Sequence, residues 1–127
     1  MLGLQDTFAH GYPVTRTAET GSWLAPAHQR QGVGWRMRLL VLHLLFDGLG
    51  AATATTTAFD DNLSSLGVTR MLGDRQNGAG TVVRDGAAVV SRSFRMDRTD
   101  RDARPDWMRP TVELHGVQPV RVLLGIA

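Results

Sequence analysis

Apolar residues recur at three- and four-residue steps from Trp35 to Leu49. This spacing places them on one face of an α-helix, while polar residues occupy another face. Gly50 follows directly, and glycine is a typical residue just past the end of a helix. The pattern therefore predicts an amphipathic helix over 35–49 that packs one face on the rest of the domain.

The segments on either side of this helix have the composition of β-strands. Val14–Leu24 is rich in threonine and carries valine, tryptophan and leucine, so it predicts a strand. Alternation along that strand places Glu19, Gly21 and Trp23 on one face. Ala51–Phe59 is a run of small and β-branched residues, typical of a buried strand.

Two further elements follow along the chain. Asp60–Gly73 predicts a short helix, with Asp60, Asp61 or Asn62 as its N-cap. Asp85-Gly86 separates two valine-rich runs, which indicates a β-hairpin. The order of strand, glycine-containing loop, helix, strand, helix and hairpin predicts an α/β (α+β) fold with a mixed central sheet that begins as a βαβ unit.

The two ends of the chain carry weaker patterns. Residues 1–13 show no period and are expected to be irregular, and 97–110 indicates a polar linker. The tail from residue 111 suggests one more strand and a short helical turn after Pro119. With 127 residues, we expect a single domain over 1–127, with a core over 14–96 followed by the linker and tail over 97–127.

Composition limits the classes of function. The chain has no cysteine, which excludes disulfides and thiolate metal sites and fits a cytoplasmic protein. The longest apolar run, 39–46, is too short to span a bilayer, so no membrane association is expected. The histidines form no cluster with ligand spacing, so no metal is expected either.

All fourteen basic residues are arginine, and half of them lie between Arg84 and Arg109. Five aspartates lie in the same stretch, so the charges mostly cancel and indicate a solvated surface. Binding of nucleic acid by this stretch is the less favoured interpretation.

The loop "HQRQGVGW", residues 28–35 and called the glycine loop below, lies between the first predicted strand and the long helix. The N–H groups and dipole at a helix N-terminus can bind an anion, and Gly32 and Gly34 would let the backbone approach it closely. The alternative is a tight turn of purely structural purpose. Neither a Walker loop nor a three-glycine dinucleotide motif is present.

Two stretches of the sequence resemble GNAT-type N-acetyltransferases of the RimJ/RimL-like branch. "AETGSWLAPAHQRQGVG" is similar to the fourth strand and acetyl-CoA loop of that branch, whose Gln/Arg-x-x-Gly-x-Gly/Ala motif is matched by Gln29, Gly32 and Gly34. "DDNLSSLGVTRMLG" is similar to the helix that follows, with matches at Asn62, Ser65, Leu72 and Gly73. The resemblance runs from about residue 17 to residue 94, or as far as residue 107.

The resemblance implies an acetyl-CoA-dependent N-acetyltransferase that uses acetyl-CoA as co-substrate and an amine of unknown identity as acceptor. In that family, backbone N–H groups of the loop hold the CoA pyrophosphate, and backbone groups of the preceding strand pair with the pantetheine arm. Carried onto this chain, the cofactor-binding residues are Trp23, Leu24, Gln29, Arg30, Gln31, Gly32, Val33, Gly34, Trp35, Asn62 and Ser65.

Glu19 is the candidate general base, because it lies on the matched strand where this branch often carries a carboxylate. The alternative for Glu19 is an exposed or ion-paired strand residue. Asn62 is equally well explained as an N-cap. The tyrosine that many family members use as a proton donor would fall near Val68 and Thr69, and no tyrosine stands there.

The sequence also departs from the family at its start. Family members begin with further strands and two helices that wall the acceptor site, whereas about sixteen residues precede the matched strand here. We therefore expect a truncated acetyltransferase-like domain. An uncovered strand at Val14–Leu24 would be an open sheet edge, which favours a homodimer. The alternative function is a non-catalytic half-domain that binds CoA or self-associates.

Overall fold

The computed structural model describes residues 1–126, which form a five-stranded sheet with helices packed on one face. The sheet order is β1-β2-β3-β5-β4, in which β2 and β3 are parallel and all other pairs are antiparallel. The strands are β1 (Gly3–Phe8), β2 (Thr17–Leu24), β3 (Thr53–Phe59), β4 (Arg75–Arg84) and β5 (Ala87–Asp97). The helices are α1 (Tyr12–Thr15), α2 (Val33–His43), α3 (Leu63–Leu72), α4 (Arg98–Asp102) and α5 (Val117–Leu123).

The mixed α/β architecture predicted from the sequence is confirmed. β2, α2 and β3 form the expected βαβ unit, and a π-helical turn over Leu44–Gly48 extends α2 toward the predicted helix end. The hairpin is also confirmed, because Asp85 and Gly86 both adopt positive φ angles of 51° and 78° between β4 and β5. Such a pair of angles matches the twist of the flanking strands, and glycine adopts them without strain.

The core lies between the sheet and the helices. Alternate residues of β3 and β5, among them Ala54, Phe94 and Met96, are buried against Leu42 of α2 and Leu66 of α3. Because side chains alternate along a strand, the intervening residues point to the opposite face. Both helices therefore pack on the same face of the sheet, and they lie close enough to contact each other.

The structure corrects the prediction for the N-terminus. Residues 1–13 are not irregular: β1 pairs antiparallel with β2 along its whole length, from Gly3 opposite Leu24 to Phe8 opposite Glu19. The predicted strand Val14–Leu24 begins later, at Thr17, because Val14 belongs to α1. Since β1 covers β2, the open edge that favoured a homodimer does not exist at that strand.

The structure also corrects the prediction for residues 97–110, which are not a linker. They form α4 and a 3₁₀ turn over Asp106–Met108. Both are anchored in the interior, since Arg101 is only 3% exposed and Met108 is buried. The tail has a helix, α5, but the strand expected within residues 111–126 is absent. Among residues 1–126, no helix is long and apolar enough to cross a membrane.

Candidate functional site

The site begins where two parallel strands part. β2 and β3 are paired only from Thr17 opposite Thr53 to Thr20 opposite Thr56. Beyond that point β2 follows β1 to its end, and β3 follows β5. β2 and β3 are therefore not paired with each other after Thr20 and Thr56. A cavity of about 490 Å³ opens at this divergence.

The glycine loop forms one wall of the cavity and leads into α2. Gly32 is the N-cap of α2 with φ of 80°, a conformation that glycine adopts at little cost, and no side chain caps the helix. The first-turn N–H groups of a helix have no partner within the helix, and the helix dipole adds partial positive charge there. These groups of α2 are therefore available to an anion.

The second glycine of the loop sits where a side chain would project toward the cavity wall. A Cβ placed on Gly34 would meet Leu24 Cδ1 at 3.5 Å, which is ordinary contact. Arg30 also lines the cavity and has a positive φ of 61°. Backbone N–H groups, two small residues and a guanidinium at one mouth fit a pyrophosphate group.

The first turns of α3 form a second wall of the cavity. Asn62 is the N-cap of this helix, and its side-chain Oδ1 accepts a hydrogen bond of 3.1 Å from Ser65 N. The capping alternative for Asn62 is therefore confirmed. Around it the lining is rich in hydroxyl groups, contributed by Thr56, Thr57, Ser64, Ser65, Thr69 and Ser91.

A buried ion pair completes the wall between α2 and α3. Arg38 lines the cavity, is only 6% exposed, and places Nη2 3.0 Å from Oδ1 of the buried Asp74. Burial raises the pKa of Asp74 and lowers that of Arg38, because both charges have lost water. Arg38 Nε and Asp74 Oδ2 have no hydrogen-bond partner within residues 1–126.

Sequence reasoning did not select this pair, although one signal for it exists. Arg38 lies three positions after Trp35 and four before Leu42, so it occupies the apolar face of the helix. A charged residue on a buried helix face requires a partner. Asp74 follows α3 by two residues, and only the packing of α2 against α3 brings it near Arg38.

The structure brings most of the predicted cofactor residues together around one cavity. Nine of the eleven line it, namely Trp23, Leu24, Gln29, Arg30, Gly32, Gly34, Trp35, Asn62 and Ser65. Gln31 and Val33 do not line it, although Val33 is the first residue of α2. The part that each residue takes in binding stays a prediction.

The predicted base lies elsewhere. Glu19 is on β2 before the divergence, opposite Thr55, and is exposed to solvent. It is not among the residues that line the cavity. Within residues 1–126 the cavity-lining side chains include no carboxylate, imidazole or phenol. The same residues contain no group of three or more His, Cys, Asp or Glu side chains arranged to hold a metal ion.

The fold of the chain matches that of known acetyltransferases. RimJ of Mycobacterium smegmatis, solved in complex with CoA-disulfide, superposes with a TM-score of 0.71 and 20% sequence identity over 78% of this chain. The chain has the fold of the GCN5-related N-acetyltransferases. A member of this GNAT group from Brucella melitensis matches 85% of the chain with a TM-score of 0.72 and 19% identity.

The likeness to GNAT proteins extends to a ribosomal-protein-S5-alanine acetyltransferase of Vibrio fischeri. It matches 82% of this chain with a TM-score of 0.72 and 16% identity. The chain spans 48%, 48% and 57% of the lengths of the RimJ, Brucella and Vibrio structures. No protein-family model matches the sequence.

Proposed function

We propose that this protein is an acetyl-CoA-dependent N-acetyltransferase that acetylates an amine. One observation carries the proposal: the uncapped N-terminus of α2, reached through the glycine loop, opens onto the cavity between the diverging strands. An anion site and a slot lined by backbone groups thus adjoin each other. CoA has a pyrophosphate joined to an extended arm with two amides, so its chemistry suits both parts.

The glycine loop would hold the pyrophosphate. Its N–H groups and the α2 dipole stabilise negative charge, and Arg30 adds a positive charge at the same mouth. The backbone of Trp23 and Leu24, beyond the pairing of β2 with β3, would pair with the amides of the pantetheine arm. The same backbone would supply a donor for the thioester carbonyl oxygen, which gains negative charge during the reaction.

The reaction requires an amine nitrogen to attack the thioester carbon. The C–N bond forms, the C–S bond breaks, the thiolate leaves, and a base takes the amine proton. Glu19 stays our proposed base. Because its carboxylate lies outside the cavity lining, the proton would reach it through a bridging water molecule.

Calorimetric titration of acetyl-CoA into the protein and its Gly34→Glu variant tests the proposal. Gly34 is the second residue of α2, and its φ is not positive, so the substitution causes no backbone strain. A carboxylate there interacts favourably with the helix dipole but repels the pyrophosphate. We expect binding to weaken at least about tenfold, since roughly 1.4 kcal/mol of repulsion suffices.

Two further variants serve as controls. Gly34→Ala adds a methyl group without charge and should bind nearly as the parent does. Gln118→Glu places the same charge at the second residue of α5, which also follows a glycine N-cap with positive φ. Equal binding by Gly34→Glu and the parent, or no binding by the folded parent, would contradict the proposal.

The second candidate is a domain that binds CoA without catalysis. It is favoured by the lack of a carboxylate, imidazole or phenol among the described cavity-lining residues. Release of free CoA in the presence of an amine panel separates the candidates. Turnover that falls in Glu19→Gln supports the enzyme, whereas tight binding with no turnover for any amine supports the second candidate.

A further inference from the structure

Two tryptophans and an arginine lie together beside the glycine loop. The rings of Trp35 and Trp107 meet edge to face with centroids 5.9 Å apart. The Arg36 guanidinium lies 4.6 Å from the centroid of the Trp35 ring, and its Nη1 donates a hydrogen bond of 3.1 Å to Gly32 O. We call these three residues the tryptophan cluster.

The cluster adjoins the proposed pyrophosphate site. Trp35 lines the cavity, and a Cβ placed on Gly32 would lie 3.1 Å from its indole Nε1. Trp107 contacts Trp35 and is not part of the cavity lining. The cluster therefore joins a residue of the cavity lining to a half-exposed ring outside the lining.

Packing within the domain leaves about half of the Trp107 side chain exposed to solvent. The 3₁₀ turn that carries it is anchored by the buried Met108, whereas Trp107 is 52% exposed. Tryptophan has a large apolar ring, and a flat partner that covers such a ring gains contact area at little cost in side-chain entropy. Aromatic rings and guanidinium planes are the groups on which nucleobases stack in proteins.

We infer that Trp107, supported by Trp35 and Arg36, is the platform on which the adenine of CoA stacks. The inference rests on the proposed function and follows from the course that CoA would take through the site. A pyrophosphate held at the start of α2 joins two parts of the ligand, and the pantetheine arm takes the cavity. The nucleotide is then left at the mouth beside the glycine loop, where the cluster presents the half-exposed ring of Trp107.

The test compares two ligands that differ in the nucleotide. Affinities of CoA and 4′-phosphopantetheine are measured by calorimetry for the protein and its Trp107→Ala variant. We expect the variant to bind CoA at least about fivefold more weakly, in keeping with the loss of one base stack. Affinity for 4′-phosphopantetheine should not change, because that ligand has no adenine.

Two controls separate stacking from a loss of stability. Trp107→Phe keeps a ring and should restore part of the CoA affinity. Phe8→Ala removes another exposed aromatic ring, 58% exposed and in edge contact with His10, at the end of β1 away from the loop. It should leave the affinities for both ligands unchanged.

The outcomes are distinct. An equal loss for both ligands in Trp107→Ala would show that the ring only supports the loop, and an unchanged CoA affinity would show that adenine does not stack there. Either result overturns the inference and leaves the proposed function standing. Failure of the parent protein to bind CoA at all contradicts the proposed function and removes this inference with it.

Discussion

At the scale of single residues, the pair Arg38–Asp74 holds two opposite charges in the interior beside the cavity. Each charge has left water, and each retains one buried atom without a hydrogen-bond partner within the described chain. Attraction between the two charges offsets this cost only while both are present. The pair is therefore a point at which a single substitution leaves an uncompensated charge in the interior.

We expect Asp74→Ala to lower the free energy of unfolding by about 3–5 kcal/mol, because it leaves the Arg38 charge buried alone. The double variant Arg38→Leu/Asp74→Leu should lose much less, since apolar residues can replace the whole pair. Urea unfolding measures both. Asp106→Ala is the control, because the Arg109–Asp106 pair is exposed and worth at most about 1 kcal/mol. A double variant as unstable as Asp74→Ala would contradict the account.

At the scale of secondary-structure elements, Asn62 combines a structural role and a proposed binding role. Its Oδ1 caps α3, and the residue lines the cavity. Asn62→Ala should therefore cost about 1 kcal/mol of stability through loss of the cap. Asn62→Asp keeps a capping oxygen, so its unfolding in urea should match that of the parent.

The same two variants separate capping from ligand contact. If the Asn62 amide donates a hydrogen bond to pantetheine, Asn62→Asp will bind acetyl-CoA more weakly by calorimetry while keeping its stability. Equal affinity for acetyl-CoA would restrict Asn62 to the cap. Ser64→Ala, a neighbour that lines the cavity but is not the cap, controls for changes in the cavity wall.

The elements that the sequence predicted correctly are those determined by local pattern. α2, β3, α3 and the hairpin follow from apolar period, small-residue runs and the Asp85-Gly86 turn. β1 was missed because its residues form a strand through pairing with β2 and not through a local sequence pattern. Paired residues of the two strands are sixteen positions apart in sequence on average. α4 was missed because Arg101 is held by Asp47, more than fifty residues earlier in the chain.

At the scale of the whole molecule, the site arises from topology. The glycine loop is visible in the sequence, but the divergence of β2 from β3 is not, because it depends on which neighbour each strand follows. The same topology removes the argument for a homodimer at β2, since β1 occupies that edge. Dimerisation itself stays a prediction, with β1 and β4 as the strands at the two edges of the sheet.

Global stability should also depend on pH through charges at the junction of β5 and α4. Asp97 Oδ1 accepts hydrogen bonds from Arg95 and from Thr53, and these bonds lower the pKa of Asp97. The folded protein then binds this proton more weakly than the unfolded chain, so the stabilisation is fully present above the unfolded pKa of about 3.9. It is lost as the pH falls through the lower folded pKa.

Asp74 acts in the opposite direction, because its raised pKa makes stability decrease as the pH rises above about 4.

Asp97→Asn should therefore be less stable than the parent near neutral pH, and the difference should shrink as the pH falls below about 4. Urea unfolding at a series of pH values between about 2 and 7 measures the difference at each pH. Asp106→Asn changes an exposed carboxyl that pairs with Arg109 at the surface, so it controls for the general effect of removing a charge. Two parallel curves for Asp97→Asn and the parent across the acid range would show that the Arg95 and Thr53 contacts give the Asp97 carboxylate no differential stabilisation. If the stability difference between Asp97→Asn and the parent narrows on acidification, the charge on Asp97 contributes to the stability of this junction. The Asp97 carboxylate links β5 to β3 through Thr53 at the point where α4 begins.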